Sequence, residues 1–259
     1  MLPMALVKLF VFIFGACIGS FLNVCIYRLP LSKSIATPPS ACPHCGYRIR
    51  FYDNIPVISY LLLGGRCRKC GTRISARYLI VEVLAGLAAL AVFLKAGPSL
   101  TGLVLFVFIA ALIVVIFIDI DHQIIPDVIT LPGIVLCFLA AVFILDLGVL
   151  PSLIGLAAGG GSLLLVALVY KALTGVDGMG GGDIKLLAMI GALSGWQGVF
   201  FTILSGSAAG TLVGGALMIF QKKDMKFAVP FGPFLSLGAI GYQFFGNEII
   251  HWYFRTLGY

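Results

Sequence analysis

Three carboxylates, Asp119, Asp121 and Asp127, stand within nine positions in FIDIDHQIIPD (117–127), at the end of a long apolar run, in a chain with only ten acidic residues among 259. A second stretch, GMGGGD (178–183), ends in Asp183 at the head of another apolar run. An aspartate in or beside a transmembrane segment costs a few kcal/mol, so its presence calls for a function or a partner. Two carboxylates brought together share one proton, because like charges close together resist joint ionisation. One then takes a proton from water while the other polarises a peptide carbonyl, and the pair titrates as a unit. Glycines at 178 and 180–182 let the backbone approach a substrate strand, or let the loop move. The competing readings are local. Asp127 is expected to cap the helix that follows it, Asp121 points to another side of any continuing helix than Asp119, and Asp177 is a loop residue. A second function class stays open on spacing alone: Asp119, Asp121, His122 and Asp183 as ligands or proton carriers of a metal or proton-coupled transporter.

The other chemistry-bearing set is Cys42, Cys45, Cys67 and Cys70, written CPHC and CRKC. Thiolates two residues apart on tight turns fit neighbouring vertices of a tetrahedral zinc site. Gly46 and Gly71 suit those turns, and Arg66, Arg68 and Lys69 are expected to lower the thiol pKa values. Disulfides are the alternative, disfavoured in a reducing compartment. His44 is read as a bystander. Cys17, Cys25 and Cys137 lie in apolar runs as small buried hydrophobes.

These groups must be positioned by membrane helices. The chain is 61% hydrophobic and 10% charged, with a mean hydropathy of +1.12, against about 25% charged residues in a soluble domain. The expectation is an all-α polytopic membrane protein of about eight transmembrane helices. The spans are placed at 5–27, 78–95, 100–118, 128–145, 149–170, 185–195, 197–220 and 231–254. The first apolar run meets no small-residue cleavage site and is read as a retained anchor. Ser20 and Asn23 within it are assigned to hydrogen bonds between helices or to a catalytic cavity. Gly155, Gly159, Gly160 and Gly161, with Gly206, Gly210, Gly214 and Gly215, are assigned to close helix approach.

Net charge is +7, but the distribution argues against nucleic acid. Nine of the seventeen Lys and Arg lie in 28–77 and three more in 222–226, the pattern of a cytoplasmic face. With 28–77 inside, fourteen of the seventeen fall on that side, both termini lie outside, and both aspartate stretches face the cytoplasm. The expected domains are a first helix (1–27), a cytoplasmic zinc-binding domain between helices 1 and 2 (28–77), a second helix and connection (78–99), a catalytic core (100–220), and a loop with a final helix (221–259).

GSFLNVCIYRLP (19–30), CPHC…DNIPVISYLLLGGRCRKCG (42–71), ISARYLIVEVLAG (74–86), FIDIDHQIIPD and GMGGGDIKLLA (178–188) together resemble the type IV prepilin peptidases, membrane aspartic proteases of the GxGD class. The resemblance implies that Asp119 and Asp183 are catalytic. It implies cleavage of the short basic leader of type IV prepilins or type II secretion pseudopilins, after a glycine, at the cytoplasmic face of the bacterial inner membrane. It also implies N-methylation of the new terminus from S-adenosylmethionine, which is typical of members with the four cysteines. No G-x-G-x-x-G fingerprint follows a strand, so a Rossmann-type cofactor site is not expected. Glu82, the only acid in the 78–95 span, is a candidate for holding the cofactor or the substrate's amino group. The other reading of Glu82 is a hydrogen bond between helices.

Overall fold

The structure, a computed structural model, describes residues 3–176, 178–221 and 230–256. Asp177 and most of the basic 221–230 connection lie outside the described residues. The long helices are α1 (Met4–Arg28), α3 (Ala76–Ala96), α4 (Leu100–His122), α5 (Asp127–Phe143), α6 (Val149–Thr174), α7 (Gly181–Gln221) and α8 (Gly232–Thr256), with a short α2 (Ile58–Leu62) in the cysteine-bearing segment. No strand forms among the described residues. Only two isolated bridges occur, Ala41 with Arg48 and Arg66 with Arg73.

Backbone groups in hydrocarbon must be satisfied within their own segment, so apolar runs of this length fold as helices. Among the described residues, five helices are long and apolar enough to cross a membrane: Met4–Leu31, Ala76–Ala96, Leu100–His122, Val149–Thr174 and Gly181–Leu217. Asp127–Phe143 is apolar but shorter. The chain is a multi-pass, all-helical membrane protein; five segments meet both criteria where about eight were expected. The separate spans expected at 185–195 and 197–220 form α7, whose helical path is broken at Gly195 (φ 69, ψ −177). That conformation is open to glycine and strained for other residues.

The chain divides into two compact units, Met1–Val114 and Val115–Tyr259. In the first, α1 packs on α3. Their backbones nearly touch: a Cβ at Gly19 would stand 2.7 Å from Glu82 Cα, and one at Gly15 would stand 2.7 Å from the Ala85 carbonyl. In the second, α7 packs against α5, α6 and α8. A Cβ at Gly155 would meet Gly195 Cα at 2.6 Å, and one at Gly159 would meet the Leu187 carbonyl carbon at 2.8 Å. Of the glycines assigned to close approach, Gly161, Gly214 and Gly215 face open space instead. Small-residue spacing marks a helix that can pack closely, and the neighbour decides which glycines do.

Candidate active site and metal centre

Asp119 occupies the last turn of α4, which runs one turn beyond the expected span, and is 5% exposed. Its Oδ2 accepts a hydrogen bond from the backbone N–H of Gly232, at 3.0 Å, where α8 begins. Asp183 is the third residue of α7, where the helix N-terminus favours an anion. Its Oδ1 is buried and has no hydrogen-bond partner among the described residues. Asp119 and Asp183 lie close enough to interact electrostatically. Both sit in the second unit.

Ile125, in the turn after α4, closes the arrangement. A Cβ on Gly182 would stand 2.9 Å from Ile125 Cβ, and one on Gly232 would stand 3.0 Å from Ile125 Cδ1 and 2.6 Å from Asp119 Oδ2. Three chain segments far apart in sequence thus meet over two carboxylates. One carboxylate is held by a backbone donor; the other has an oxygen with no hydrogen-bond partner among the described residues. Such a pair can activate a water and protonate a leaving amine.

Gly232 and Ile125 stand outside the sequence expectations. The signal for Gly232 was present in PFGPF (230–234), where prolines flank a glycine at a helix start. Nothing local tied it to an aspartate 113 positions earlier.

Asp127 does not cap α5. Pro126 takes the cap position (φ −66, ψ 127), Asp127 is the first helical residue, and no side-chain cap bond forms. The Asp127 carboxylate instead pairs with Lys185 at 2.5 Å, tying the start of α5 to the first turn of α7. Asp121 and His122 are exposed. Among the described residues, Asp119, Asp121, His122 and Asp183 do not form a group able to hold a metal; only the four cysteines do. The transporter reading loses its metal site.

The four sulfurs of Cys42, Cys45, Cys67 and Cys70 all lie within 4.8 Å of one another. Cys42–Cys70 and Cys45–Cys67 are each 3.9 Å apart. Thiolates at about 2.3 Å from a tetrahedral ion lie about 3.8 Å from each other, so the spacing fits a four-coordinate metal. It is too long for a disulfide, whose sulfurs stand about 2.0 Å apart. The two turns are near copies. Gly46 N–H donates to the Cys42 carbonyl and Gly71 N–H to the Cys67 carbonyl, both at 2.9 Å, with φ of 68 and 69. His44 is exposed and outside the cluster.

The thiols differ in acidity, through hydrogen bonds and burial together. The backbone N–H groups of Cys45 and His44 hold Cys42 below its ordinary value. Hydrogen bonds with the Thr72 side chain and backbone bring Cys70 down to about 6. Cys45 goes the other way, to about 11: the Tyr47 backbone bond pulls it down but is outweighed by burial and by the neighbouring sulfurs. The expected agents, Arg66, Arg68 and Lys69, are not among these causes. Arg68 is engaged elsewhere, with Nε 2.8 Å from Asp53 Oδ1 and its guanidinium over the Tyr52 ring.

Glu82 is 9% exposed in α3. Its Oε2 accepts the backbone N–H of Val57 at 2.8 Å, and its carboxylate is hydrogen-bonded to the Ser20 side chain. Asn23 Nδ2 donates to the Tyr78 carbonyl at 3.0 Å. Ser20 and Asn23 therefore serve contacts between helices.

Comparison with known proteins finds two families in chain order. Residues 13–96 match the Bacterial Peptidase A24 N-terminal domain, and residues 106–215 match the Type IV leader peptidase family. The chain is 37% identical over 269 residues to a prepilin leader peptidase/N-methyltransferase of Pseudomonas putida, covering 95% of this chain and 93% of that protein. It is similar to proteins of the same description from Aeromonas hydrophila, 37% identical over 94% of this chain and 92% of that protein, and from Dichelobacter nodosus, 38% identical over 93% and 92%. No solved structure matches.

Proposed function

The chain belongs to the type IV leader peptidase family, and on that premise we propose that Asp119 and Asp183 are the pair that hydrolyses the leader peptide bond of its substrate. The substrates are type IV prepilins or type II secretion pseudopilins. Cleavage falls after a glycine, at the cytoplasmic face of the inner membrane, and the same enzyme then N-methylates the new terminus. The observation that carries the peptidase reading is the meeting of two membrane-edge carboxylates from α4 and α7, one held by the Gly232 N–H and the other with a buried oxygen that has no partner among the described residues.

A water between the carboxylates loses a proton to the ionised one as it attacks the scissile carbonyl. The protonated one supplies the proton that the departing amine needs. Gly180 and Gly182 precede Asp183, and these glycines let the backbone approach an extended substrate strand. The eight-span arrangement with both termini outside keeps both aspartates on the basic, cytoplasmic side. The peptidase core is residues 100–220.

The cysteines of residues 28–77 hold one structural zinc, for which four sulfurs and no free position are the expected ligand set. S-adenosylmethionine is the methyl donor. The described residues contain no strand-to-helix glycine turn of the Rossmann kind.

Leader-cleavage assays on Asp119→Asn and Asp183→Asn test the proposal. Removing a general acid or base is expected to lower the rate by about a hundredfold or more. Either variant cleaving at the wild-type rate would overturn it.

A further inference from the structure

Glu82 is the one acidic residue of α3, and it is buried. A carboxylate in such a helix must find donors. The close seam between α1 and α3 at Gly19 brings the Ser20 side chain to it as one partner. The other partner comes from the cysteine-bearing segment: the N–H of Val57, 25 residues earlier in the chain.

The backbone at Val57 is unusual. It adopts φ 62, ψ −53, and the N–H of Ile58 donates to the Pro56 carbonyl at 2.6 Å. This is the γ-turn of the rare, strained hand. A β-branched residue at positive φ is an outlier that persists only where its surroundings over-determine it. The turn itself uses the N–H of Ile58 and leaves that of Val57 for an outside acceptor. Glu82 is that acceptor.

What the turn holds leads to the metal-site cysteines. Ser59 N–H donates to the Ile55 carbonyl, and the Ser59 hydroxyl donates to the Tyr52 carbonyl, across the turn. From α2, the Tyr60 carbonyl accepts the Gly65 N–H at 2.9 Å, and the Tyr60 hydroxyl donates to the Ile74 carbonyl. Gly65 packs directly on the Tyr60 ring and in turn accepts the Ile74 N–H at 2.7 Å. Two residues later stands Cys67. Hydrogen bonds and the short chain segments between them thus lead from the membrane helix to Gly65 and Ile74, which bracket the second cysteine turn.

We propose that Glu82 is a positioning residue for the methyl-transfer half of the enzyme: by holding the Val57 turn it seats the cysteine-bearing segment on the α1–α3 pair, and it does not itself bind the methyl donor or the substrate's amino group. This rests on the bifunctional reading above. Its chemistry separates the two roles, since a glutamine offers the same carbonyl-type acceptor to Val57 without the negative charge that an amine or a sulfonium would require.

The test uses full-length wild type, Glu82→Gln and Glu82→Ala with one prepilin substrate and S-adenosylmethionine. Cleavage and terminal methylation are read by mass spectrometry, with zinc content measured on the same preparations. Hydrogen exchange is followed in peptides covering 55–62. The expected result is methylation lowered about tenfold or more in Glu82→Ala, the effect of losing a bond to a charged acceptor, and kept within about threefold of wild type in Glu82→Gln. Exchange at 55–62 rises only in the alanine variant. Cleavage stays near wild type in both, since Asp119 and Asp183 belong to the other compact unit, and zinc does too, since the run of bonds stops at Gly65 and Ile74 and the cysteine turn closes on its own hydrogen bonds. Methylation lost equally in both variants, with cleavage and zinc intact, would make the charge a direct ligand and overturn the proposal. Wild-type methylation and exchange in Glu82→Ala would overturn it as well. A wild-type enzyme that cleaves but never methylates would instead defeat the bifunctional reading, and the exchange data would still decide whether Glu82 holds the turn.

Discussion

A side chain at position 232 would have little room, since its Cβ would stand 2.6 Å from Asp119 Oδ2 and 3.0 Å from Ile125 Cδ1. The same residue supplies the N–H that holds that oxygen. Gly232→Ala is therefore expected to displace the carboxylate or the start of α8. Misplacement on the order of 1 Å at a catalytic group lowers rates about a hundredfold. The measurement is kcat for leader cleavage alongside a thermal melt, and a variant that melts normally yet cleaves at the wild-type rate would remove Gly232 from the site. The Lys185–Asp127 pair is a weaker device. It is partly exposed, 35% and 56% for the two side chains, and exposed pairs contribute about 0–1 kcal/mol. Its contribution is register between α5 and α7 more than stability.

Among the elements, α6 and α7 make the most demanding contact, backbone against backbone at Gly155 and Gly159. Gly159→Leu should destabilise the protein by about 1–3 kcal/mol through overpacking, whereas Gly161→Leu, which meets open space, should not. Melting temperatures in one detergent compare them, and equal losses would contradict the packing described. The cysteine turns make a different prediction. Metal and protons compete for the same sulfurs, so zinc affinity falls as pH falls. Cys45, at about 11, must shed a proton on binding, whereas Cys70, at about 6, is already largely ionised at neutral pH. Bound zinc should hold at neutral pH and be lost as pH drops below about 6, with chelation more effective toward acid. Metal analysis across that range checks it, and zinc retained well below pH 5 would contradict a four-thiolate site.

At the scale of the whole molecule, the first matched family (13–96) falls within the first unit, while the second (106–215) starts in the last residues of the first unit and covers most of the second. Much of this was legible beforehand. Apolar runs read as helices because hydrocarbon leaves no alternative, and the cysteine pairs read as a metal site because their spacing is local. Asp119 and Asp183 stood out as candidates because acids are rare in such a chain. What escaped was pairing across long stretches. Gly232 meets Asp119 across 113 positions, Lys185 meets Asp127 across 58, and Val57 meets Glu82 across 25. In each case one partner is a backbone group or a surface charge with no periodicity of its own. Asp127 was misassigned as a cap for the same reason: its local setting suited capping, and the competing partner was distant. Gly195 was close to legible, since the expected spans divided beside it, but a glycine in an apolar run does not announce its φ.

The central claim is that Asp119 and Asp183 act as one unit, and a double-variant cycle in single-turnover leader cleavage tests it most directly. Residues that act as a unit are grossly non-additive. Asp119→Asn, Asp183→Asn and the double variant should all be reduced to about the same residual rate. Independent, multiplying losses, or either single variant cleaving at the wild-type rate, would contradict the account.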